Sequence, residues 1–478
     1  MLSVFRNMFR IKDLRNKILF TLMIFAIYRL GAAVPVPGID LDQLAVARDA
    51  AEESGFLGLL NLFSGGAIEN LSVFSLGIMP YITASIIMQL LAVVIPKLQS
   101  LQEEGESGRK VITQWTRYLT VAIALIQSTS FTFLFHNGSF FNGVDLVPDY
   151  TLRNVLTIII TMTAGTALIM WLGELITQRG IGNGMSLIIF VSIVSQLPSQ
   201  FGILWANSQT YQFVIVTAVM LALTVGIIFI DQGQRRIPIQ FSRRVRGRKV
   251  LGGQSTYIPL KVNMAGVIPV IFATSIMYFP VLVASSLPSS GWGESVRNWI
   301  NDNLLSSGAG GLSPTLPYIL LLGVLVVFFT YFYTAIQFDP ERQAETIQRQ
   351  GGFIPGIRPG RATVKHLEHI LNRITLPGSL YLALVAVLPS FLGYLFDIPV
   401  GLSGVSILIV SGVALETMKQ IESQLMLRNY EGFLSKERLA SGFLASRAPP
   451  EATGVCSALR RQNQTGRGVF RIAGSSHY

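Results

Sequence analysis

Charged residues are scarce in this sequence, and cysteine is almost absent. Only 13% of the 478 residues are Asp, Glu, Lys or Arg, whereas soluble domains carry about 25%. Half of the residues are hydrophobic. This composition predicts a membrane protein rather than a soluble domain. The single cysteine, Cys456, excludes a disulfide framework within the chain and a cysteine-based metal site.

Motifs for catalysis and cofactor binding are also missing. No GxxxxGK[ST] sequence occurs, so the chain is not predicted to hydrolyse ATP. The GIGNG stretch at 180–184 lacks the neighbouring strand and the acidic partner of a dinucleotide site. His366 and His369 lie three residues apart without a third ligand, which favours a cytoplasmic helix face over a metal site. We therefore expect no catalytic residues, no metal and no cofactor.

Ten apolar segments are present, and most approach the roughly 20 residues that a spanning helix needs. They lie at residues 18–37, 72–95, 115–135, 153–173, 184–198, 212–230, 263–286, 314–337, 374–393 and 402–419. The fifth is short because Pro198 and the polar turn at 180–184 bound it, which favours a helix shielded from lipid.

The number of spans suggests an internal repeat. Ten spans divide into two five-helix halves, and an odd number of spans per half makes the second half inverted relative to the first. We predict an all-α membrane protein with halves at 1–200 and 201–438. The segment 439–478 is rich in small and polar residues without a helical period, and we predict that it is disordered.

Basic residues are concentrated on one side of the predicted membrane. The loop 231–262 has eight basic residues and one acidic residue, whereas 38–71 has one basic and six acidic residues. The loop 338–373 is also rich in basic residues. Because basic loops face the cytoplasm, both termini are predicted to be cytoplasmic. The net charge of +11 could also indicate nucleic-acid binding, but in a membrane protein its location matters more.

The segment 55–96 is interrupted by glycine in its first half and is long and apolar in its second half. Irregular backbone at membrane depth survives only where protein or a water-filled cavity shields it. A broken hydrophobic segment therefore favours a transport pathway. The alternative is a surface loop followed by an ordinary span.

Five motifs, in this order, resemble the SecY family over about residues 10–435. They are SLGIMPYITASIIMQLL at 75–91, EEGESGRK at 103–110, GIGNGMSLIIF at 180–190, the pair QGQRRI and QSTYIPLKV leading into NMAGVIPVIFATSI, and FDP followed by FIPGIRPG at 338–360. The resemblance implies a central hourglass pore that passively conducts unfolded secretory polypeptides or releases apolar segments into the lipid bilayer. It also implies small partner subunits SecE and SecG, with energy from the motor ATPase SecA or from a ribosome.

The resemblance further implies a ring of apolar side chains that closes the pore. Its six positions here are Ile82, Ile86, Met185, Ile189, Ile271 and Ile409. The first two are four residues apart and so share one helix face, as do Met185 and Ile189. Met185 departs from the usual isoleucine, although a flexible apolar methionine can still contribute to the ring. Taken alone, such a pair would more often be lipid-facing or core.

A plug at 57–70 is implied on the outer side of the ring, the alternative being a surface loop. Its candidate residues are Leu57, Leu60, Phe63, Gly65, Gly66 and Asn70. A lateral gate is implied between the second, third, seventh and eighth spans, where polar groups could bridge helices weakly. The candidate gate residues are Thr83, Ser85, Gln127, Thr274 and Ser275. Each of these could instead make an ordinary hydrogen bond to backbone.

The basic cytoplasmic loops are implied to receive the ribosome, through ribosomal RNA phosphates, or SecA. The candidate docking residues are Arg236, Arg243, Arg244, Arg248, Lys249 and Arg358. Positive-inside topology or attraction to anionic lipid is the alternative for most of them. Arg358 differs because glycine and proline flank it in GIRPG, which fixes its direction on the loop.

Three other functions compete with a protein channel. An ion-coupled transporter of small solutes usually needs ionisable groups at mid-membrane, but Arg29 lies in the outer half of span one and Glu174, Asp231 and Glu416 lie near cytoplasmic ends. A membrane enzyme would need a convergent acid, base or nucleophile. A ribosome-anchoring scaffold would need no apolar ring or plug. We expect a bacterial plasma-membrane protein, with the thylakoid membrane as the alternative.

Overall fold

The computed structural model describes most of the chain. The described residues are 11–40, 64–136, 146–147, 150–241, 244–246, 249–251, 255–285, 293–296, 299–300, 315–396 and 404–446. The chain divides into two compact units, of which one is Phe9–Met418 and the other combines Met1–Met8 with Lys419–Tyr478. The candidate site residues all fall within Phe9–Met418.

Helices dominate the described residues. The first six are α1 (Lys12–Ala33), α2 (Met79–Val94), α3 (Pro96–Glu103), α4 (Glu106–His136), α5 (Leu152–Arg179) and α6 (Gly184–Asn207). The next six are α7 (Thr210–Gln232), α8 (Ile268–Ser285), α9 (Leu316–Gln337), α10 (Pro340–Arg349), α11 (Arg361–Phe396) and α12 (Gly404–Ser446). The five strands are β1 (Gln234–Phe241), β2 (Arg244–Arg246), β3 (Lys249–Leu251), β4 (Ser255–Lys261) and β5 (Gly352–Phe353).

Every predicted span coincides with a helix, which confirms the all-α membrane class. Spans one to ten correspond to α1, α2, α4, α5, α6, α7, α8, α9, α11 and α12. Within the described residues, eight of these helices are individually long and apolar enough to cross a membrane. The other two are α2, which forms a bent pair with α3, and α8, whose apolar stretch Ile268–Met277 is shorter.

The bend between α2 and α3 follows from one proline. The two helices are bent by 106° at their junction. Pro96 begins α3, and the residue before a proline is disfavoured in the helical region. Ile95 is accordingly extended, with φ −99° and ψ 111°. The chain therefore turns away from the span at this point and re-enters α4 after Gly105, which has φ +76°.

The predicted span boundaries differ from the helix bounds, and for spans two and five the cause is identifiable. Span two was expected to begin at 72, but 72–78 forms turns and α2 begins at Met79. Gly77 has φ +57°, which breaks a helix, and Pro80 suits its first turn. Span five was expected to end at Pro198, but α6 continues to Asn207 with this proline inside it. A proline removes one helical hydrogen bond, and membrane helices tolerate that loss when neighbouring groups compensate.

The loop 231–262 forms β-strands over most of its described residues. Strands β1 and β4 pair antiparallel from Gln234 with Lys261 to Gln240 with Ser255, and β5 adds to the other side of β1. A second small sheet pairs β2 with β3. Alternation along β1 buries Ile237 and Ile239 while its other residues are exposed or half-buried. This alternation is the period of a half-buried strand.

A separate hydrophobic core holds this sheet on the helices. Its fully buried members are Ile237, Leu260, Phe338, Ala344, Ile354, Leu367, Ile370 and Leu371. They come from β1, β4, the junction between α9 and α10, α10 itself, the loop after β5 and the first half of α11. The two long basic loops, 231–262 and 338–373, therefore form one packed layer instead of two independent segments.

The predicted tail is wrong over residues 439–446, which continue α12. No proline occurs between Gly404 and Pro449, so no residue in this stretch forces the helix to end. The rest of the tail, 447–478, lies outside the described residues.

Candidate pore and plug

All six candidate ring residues belong to one apolar core. Met185, Ile189, Ile271 and Ile409 are buried in it, with exposed fractions of 8%, 5%, 7% and 1%. Ile82 and Ile86 are half-buried and pack against the same core. The six residues come from α2, α6, α8 and α12, so four helices from both halves of the sequence contribute. The structure thus brings the candidate ring residues into one cluster.

Met185 makes a specific contact that sequence alone did not predict. A Cβ atom placed on Gly173 of α5 would lie 2.4 Å from the Met185 Sδ and 3.1 Å from its Cε. Real atoms do not approach so closely, so a side chain at this position would displace the methionine side chain, and glycine leaves room for it. The flexible side chain of Met185 therefore packs against α5 at Gly173, which has no side chain.

The candidate plug is described only in part. Leu57, Leu60 and Phe63 lie outside the described residues, whereas Gly65, Gly66 and Asn70 lie within them. Residues 65–70 form successive turns and not a helix. Gly65 and Gly66 adopt φ +68° and +88°, which residues with a side chain rarely adopt. The Asn70 amide donates to the Gly66 carbonyl at 3.3 Å, closing one of these turns.

Polar side chains of α1 and α6 hold the described part of the plug. The Tyr28 hydroxyl donates to the Ser64 carbonyl at 3.1 Å and lies 2.6 Å from the Ser192 Oγ. The Arg29 Nη1 donates to the Gly65 carbonyl at 2.6 Å and to the Ser195 Oγ at 2.8 Å. Sequence reasoning missed these contacts. The available signal was an arginine within an apolar span, which is a functional-site indicator by itself.

The chain after the plug is fixed between α1 and α5. The Val36 amide donates to the Leu71 carbonyl and the Val73 amide to the Val34 carbonyl, both at 2.9 Å. The Phe74 ring stacks on Tyr28, with centroids 5.7 Å apart and planes at 9°. A Cβ at Gly31 would meet the Phe74 ring at 2.1 Å, so glycine is required there. Residues 71–78 are therefore a rigid base on which the plug turns stand.

Most candidate lateral-gate residues bond within their own helices. The Thr83 Oγ1 donates to the Met79 carbonyl at 3.0 Å, and the Ser85 Oγ accepts from Gln89 Nε2 at 3.4 Å. The Thr274 Oγ1 donates to the Ile271 carbonyl at 3.0 Å, and the Ser275 Oγ donates to the same carbonyl at 2.8 Å. Gln127 is half-buried on α4.

Packing around the candidate gate is uneven. Helices α2 and α4 pack extensively together, and so do α8 and α9. Between these two pairs, packing of the described residues is sparse. The bonds of Thr83, Ser85, Thr274 and Ser275 are thus within-helix bonds, and a role for these residues as bridges across this seam stays a prediction.

The candidate docking residues are described to different extents. Arg243 and Arg248 lie outside the described residues, while Arg244 and Lys249 lie in strands β2 and β3. Arg236 is exposed on β1, and its Cζ lies 4.9 Å from the centroid of the Tyr257 ring on β4. Such a cation–π contact orients the guanidinium.

Arg358 stands on an ordered loop before α11. Its side chain is exposed, and its carbonyl accepts a hydrogen bond from the Thr363 Oγ1 at 3.1 Å. Gly356 and Gly360 on either side have φ +84° and +103°. Ile354, near the start of the same loop, is buried in the core below the sheet. The backbone of Arg358 is therefore held in place while its guanidinium faces solvent.

The SecY family model matches residues 72–418 of the chain. The protein translocase subunit SecY of Streptomyces scabiei is 49% identical over 451 residues, which cover 91% of this chain and all of the relative. A solved structure described as a protein-conducting channel is similar with a TM-score of 0.57, at 18% identity and covering 85% of this chain and 91% of its own. A canine Sec61 channel in a ribosome complex from the endoplasmic reticulum is similar with a TM-score of 0.55, at 16% identity and with the same two coverages.

Proposed function

The chain belongs to the SecY family, and from that premise we propose how its residues conduct a polypeptide. It is the central subunit of a protein-conducting channel and not an enzyme. In our proposal, unfolded secretory chains pass through a pore between the two halves, and apolar segments leave sideways into lipid. The convergence of Ile82, Ile86, Met185, Ile189, Ile271 and Ile409 on one apolar core carries this proposal.

The ring explains how a passive channel can stay closed to ions. A narrow collar of apolar side chains excludes water by dewetting, so hydrated ions do not cross it. The same side chains can move apart around an extended polypeptide, because isoleucine and methionine side chains rotate without breaking hydrogen bonds. We propose that the plug, 57–70, adds a second barrier on the outer side of this ring.

The two halves, 1–200 and 201–438, are proposed to move relative to one another, in an inverted arrangement around an hourglass pore. Among the described helices, the most extensive packing stays within α1–α6 or within α7–α11, and α6 with α7 makes the most extensive contact between the two groups. The sparse seam between the pair α2 and α4 and the pair α8 and α9 supports a lateral gate there. With the hydroxyls of Thr83, Ser85, Thr274 and Ser275 bonded within their own helices, apolar contact would do most to close that seam, and an apolar signal sequence could replace it. These four residues and Gln127 stay the candidate gate residues.

The packed cytoplasmic layer is proposed to receive the energy source. Its exposed cations Arg236 and Arg358 stand on strand and loop backbone fixed by a buried core. Arg243, Arg244, Arg248 and Lys249 would extend the same basic surface. We propose that a ribosome, through its RNA phosphates, or SecA binds there, and that SecE and SecG complete the channel in the bilayer.

The chain is a multi-span membrane protein, and we propose that it resides in a bacterial plasma membrane with both termini in the cytoplasm. The basic loops support this orientation. The similarity to a Streptomyces translocase subunit supports the plasma membrane over a thylakoid membrane.

Reconstitution tests the proposed function. The chain is inserted into vesicles with SecE, SecG and SecA, and the fraction of a secretory protein that becomes protease-protected is measured with and without ATP. We expect ATP-dependent protection that vesicles lacking the chain do not give. Uptake of small solutes without protection of protein would instead indicate a transporter, and binding without protection would indicate a docking scaffold.

A further inference from the structure

We propose that Tyr28 and Arg29 of α1, together with Ser192 and Ser195 of α6, form a latch that sets how readily the plug opens and so how strictly the channel selects signal sequences. The latch holds two consecutive backbone carbonyls of the plug segment, those of Ser64 and Gly65. This inference rests on the proposed channel function and assigns its selectivity to particular polar contacts.

The two buried hydroxyls of the latch make three hydrogen-bond contacts but carry only two hydrogens. Tyr28 and Ser192 are 1% and 0% exposed. Their two hydroxyl hydrogens are shared among three contacts: Tyr28 to the Ser64 carbonyl at 3.1 Å, Tyr28 with Ser192 at 2.6 Å, and Ser192 to the Ile188 carbonyl at 3.0 Å. Each hydroxyl carries one donor hydrogen, so only two of these bonds form at once.

Two arrangements of these hydrogens are therefore possible. With the plug in place, Ser192 donates to Tyr28 and Tyr28 donates to the Ser64 carbonyl. When Ser64 leaves, Tyr28 donates to Ser192, and Ser192 donates to the Ile188 carbonyl. Neither hydroxyl loses its partner, so the penalty for a buried unpaired donor is avoided in both states.

The Arg29 contact differs, because Arg29 keeps one of its two bonds and exchanges no hydrogen. Its Nη1 carries two hydrogens, one for the Gly65 carbonyl at 2.6 Å and one for the Ser195 Oγ at 2.8 Å. The Ser195 hydroxyl itself donates to the Ser192 carbonyl at 2.7 Å. After the plug leaves, Arg29 remains bonded to Ser195. Its side chain is partly exposed, and an arginine at this depth is tolerated only where water or protein solvates it.

Glycine lets the plug backbone approach the latch. An ideal Cβ on Gly65 would lie 3.2 Å from the Arg29 Nη1 and 3.2 Å from the Ser192 Cβ, and one on Gly66 would lie 2.6 Å from the Gln196 Nε2. Side chains here would push the carbonyls away from their donors. The contacts are thus firm enough to hold the plug, yet each can be released without leaving a buried polar group unpaired.

Single substitutions test the latch through signal-sequence stringency. The variants are Tyr28→Phe, which keeps the ring stacked on Phe74, together with Ser195→Ala and Arg29→Gln. The matched controls are Tyr211→Phe, at an exposed tyrosine on α7, and Arg153→Gln, at the start of α5. Export of a substrate with a defective signal sequence and the ion conductance of the resting channel are measured for each.

We expect each latch variant to raise export of the defective substrate about 2- to 10-fold, the range that corresponds to the loss of one hydrogen bond. Resting conductance should rise with it, while the controls and transport of the normal substrate stay unchanged. Unchanged stringency and conductance in all three variants, with normal transport intact, would overturn the latch. If the unmodified chain transported no substrate at all, the proposed channel function itself would be contradicted.

Discussion

The guanidinium of Arg117 on α4 donates to both carboxylate oxygens of Glu174 on α5, from Nε to Oε1 at 2.7 Å and from Nη2 to Oε2 at 2.5 Å. The side chains are 44% and 17% exposed, so the pair is only partly desolvated. A bidentate pair of this kind fixes the direction of both side chains as well as their distance. It ties the third span to the fourth within the first half of the chain.

We predict that this ion pair stabilises the packing of α4 on α5 by about 1 kcal/mol, since its partial exposure weakens a bidentate bond. A double-mutant cycle of Arg117→Met and Glu174→Met, followed by thermal unfolding in detergent, measures the coupling. The two single variants should each lower stability, and the double variant should lose less than their sum. Additive losses would mean that the two charges do not interact.

The apolar ring predicts a second result. Ile271 is 7% exposed, so replacing it with asparagine places an amide in the apolar core. The collar should then hold water and leak ions. We expect resting conductance to rise several-fold and defective signal sequences to pass more often. Single-channel recording in planar bilayers measures the first effect and an export assay the second.

The control for this prediction is Ile160→Asn on α5, where the isoleucine is 62% exposed and faces away from the core. It makes the same chemical change outside the ring. If Ile271→Asn and Ile160→Asn gave the same conductance, whether raised or unchanged, Ile271 would not belong to the ring that closes the pore.

The exposed loop before α11 predicts a third result. Arg358→Glu reverses the charge of an exposed side chain, so binding of an anionic partner should weaken. The fold should be kept, because Thr363 bonds to the backbone carbonyl of residue 358 and not to its side chain. We expect transport driven by SecA or a ribosome to fall at least about tenfold, because a charge contact with the partner is lost. The amount of channel inserted in the membrane should not change.

Arg361→Glu is the matched control for this change, because it reverses an exposed charge three residues away on α11. Retained activity in Arg361→Glu with loss in Arg358→Glu assigns docking to that position. A similar loss in both would reduce the role of Arg358 to the general charge of the loop.

The sequence predicts features that depend on local pattern. Apolar runs locate all ten spans, and the i, i+4 spacing of Ile82 with Ile86 places them on one face. Span boundaries were harder, because the turns at 72–78 are as apolar as the helix that follows. The turns end at Gly77, whose backbone is left-handed. Hydrophobicity along the sequence does not reveal this backbone conformation.

Features built from distant contacts could not be predicted. Ile237 and Ile354 are separated by more than 100 residues, yet both lie in the core below the sheet that β1 forms with β4 and β5. The contact of Arg29 with the Gly65 carbonyl joins a side chain to a backbone group, and backbone acceptors carry no sequence signature. Local periodicity therefore fixes helices and faces, whereas three-dimensional packing decides which polar groups meet.

The most direct test of the channel is crosslinking of a stalled secretory chain to single cysteines introduced as Ile86→Cys, Ile189→Cys or Ile271→Cys, with Cys456→Ser. Ile160→Cys, at an isoleucine of α5 that is 62% exposed, serves as the control outside the ring. We predict crosslinks at all three ring positions and none at the control, because the chain must pass through the apolar collar. Crosslinks confined to the basic loops 231–262 and 338–373 would contradict a pore lined by these residues and would leave only a docking scaffold.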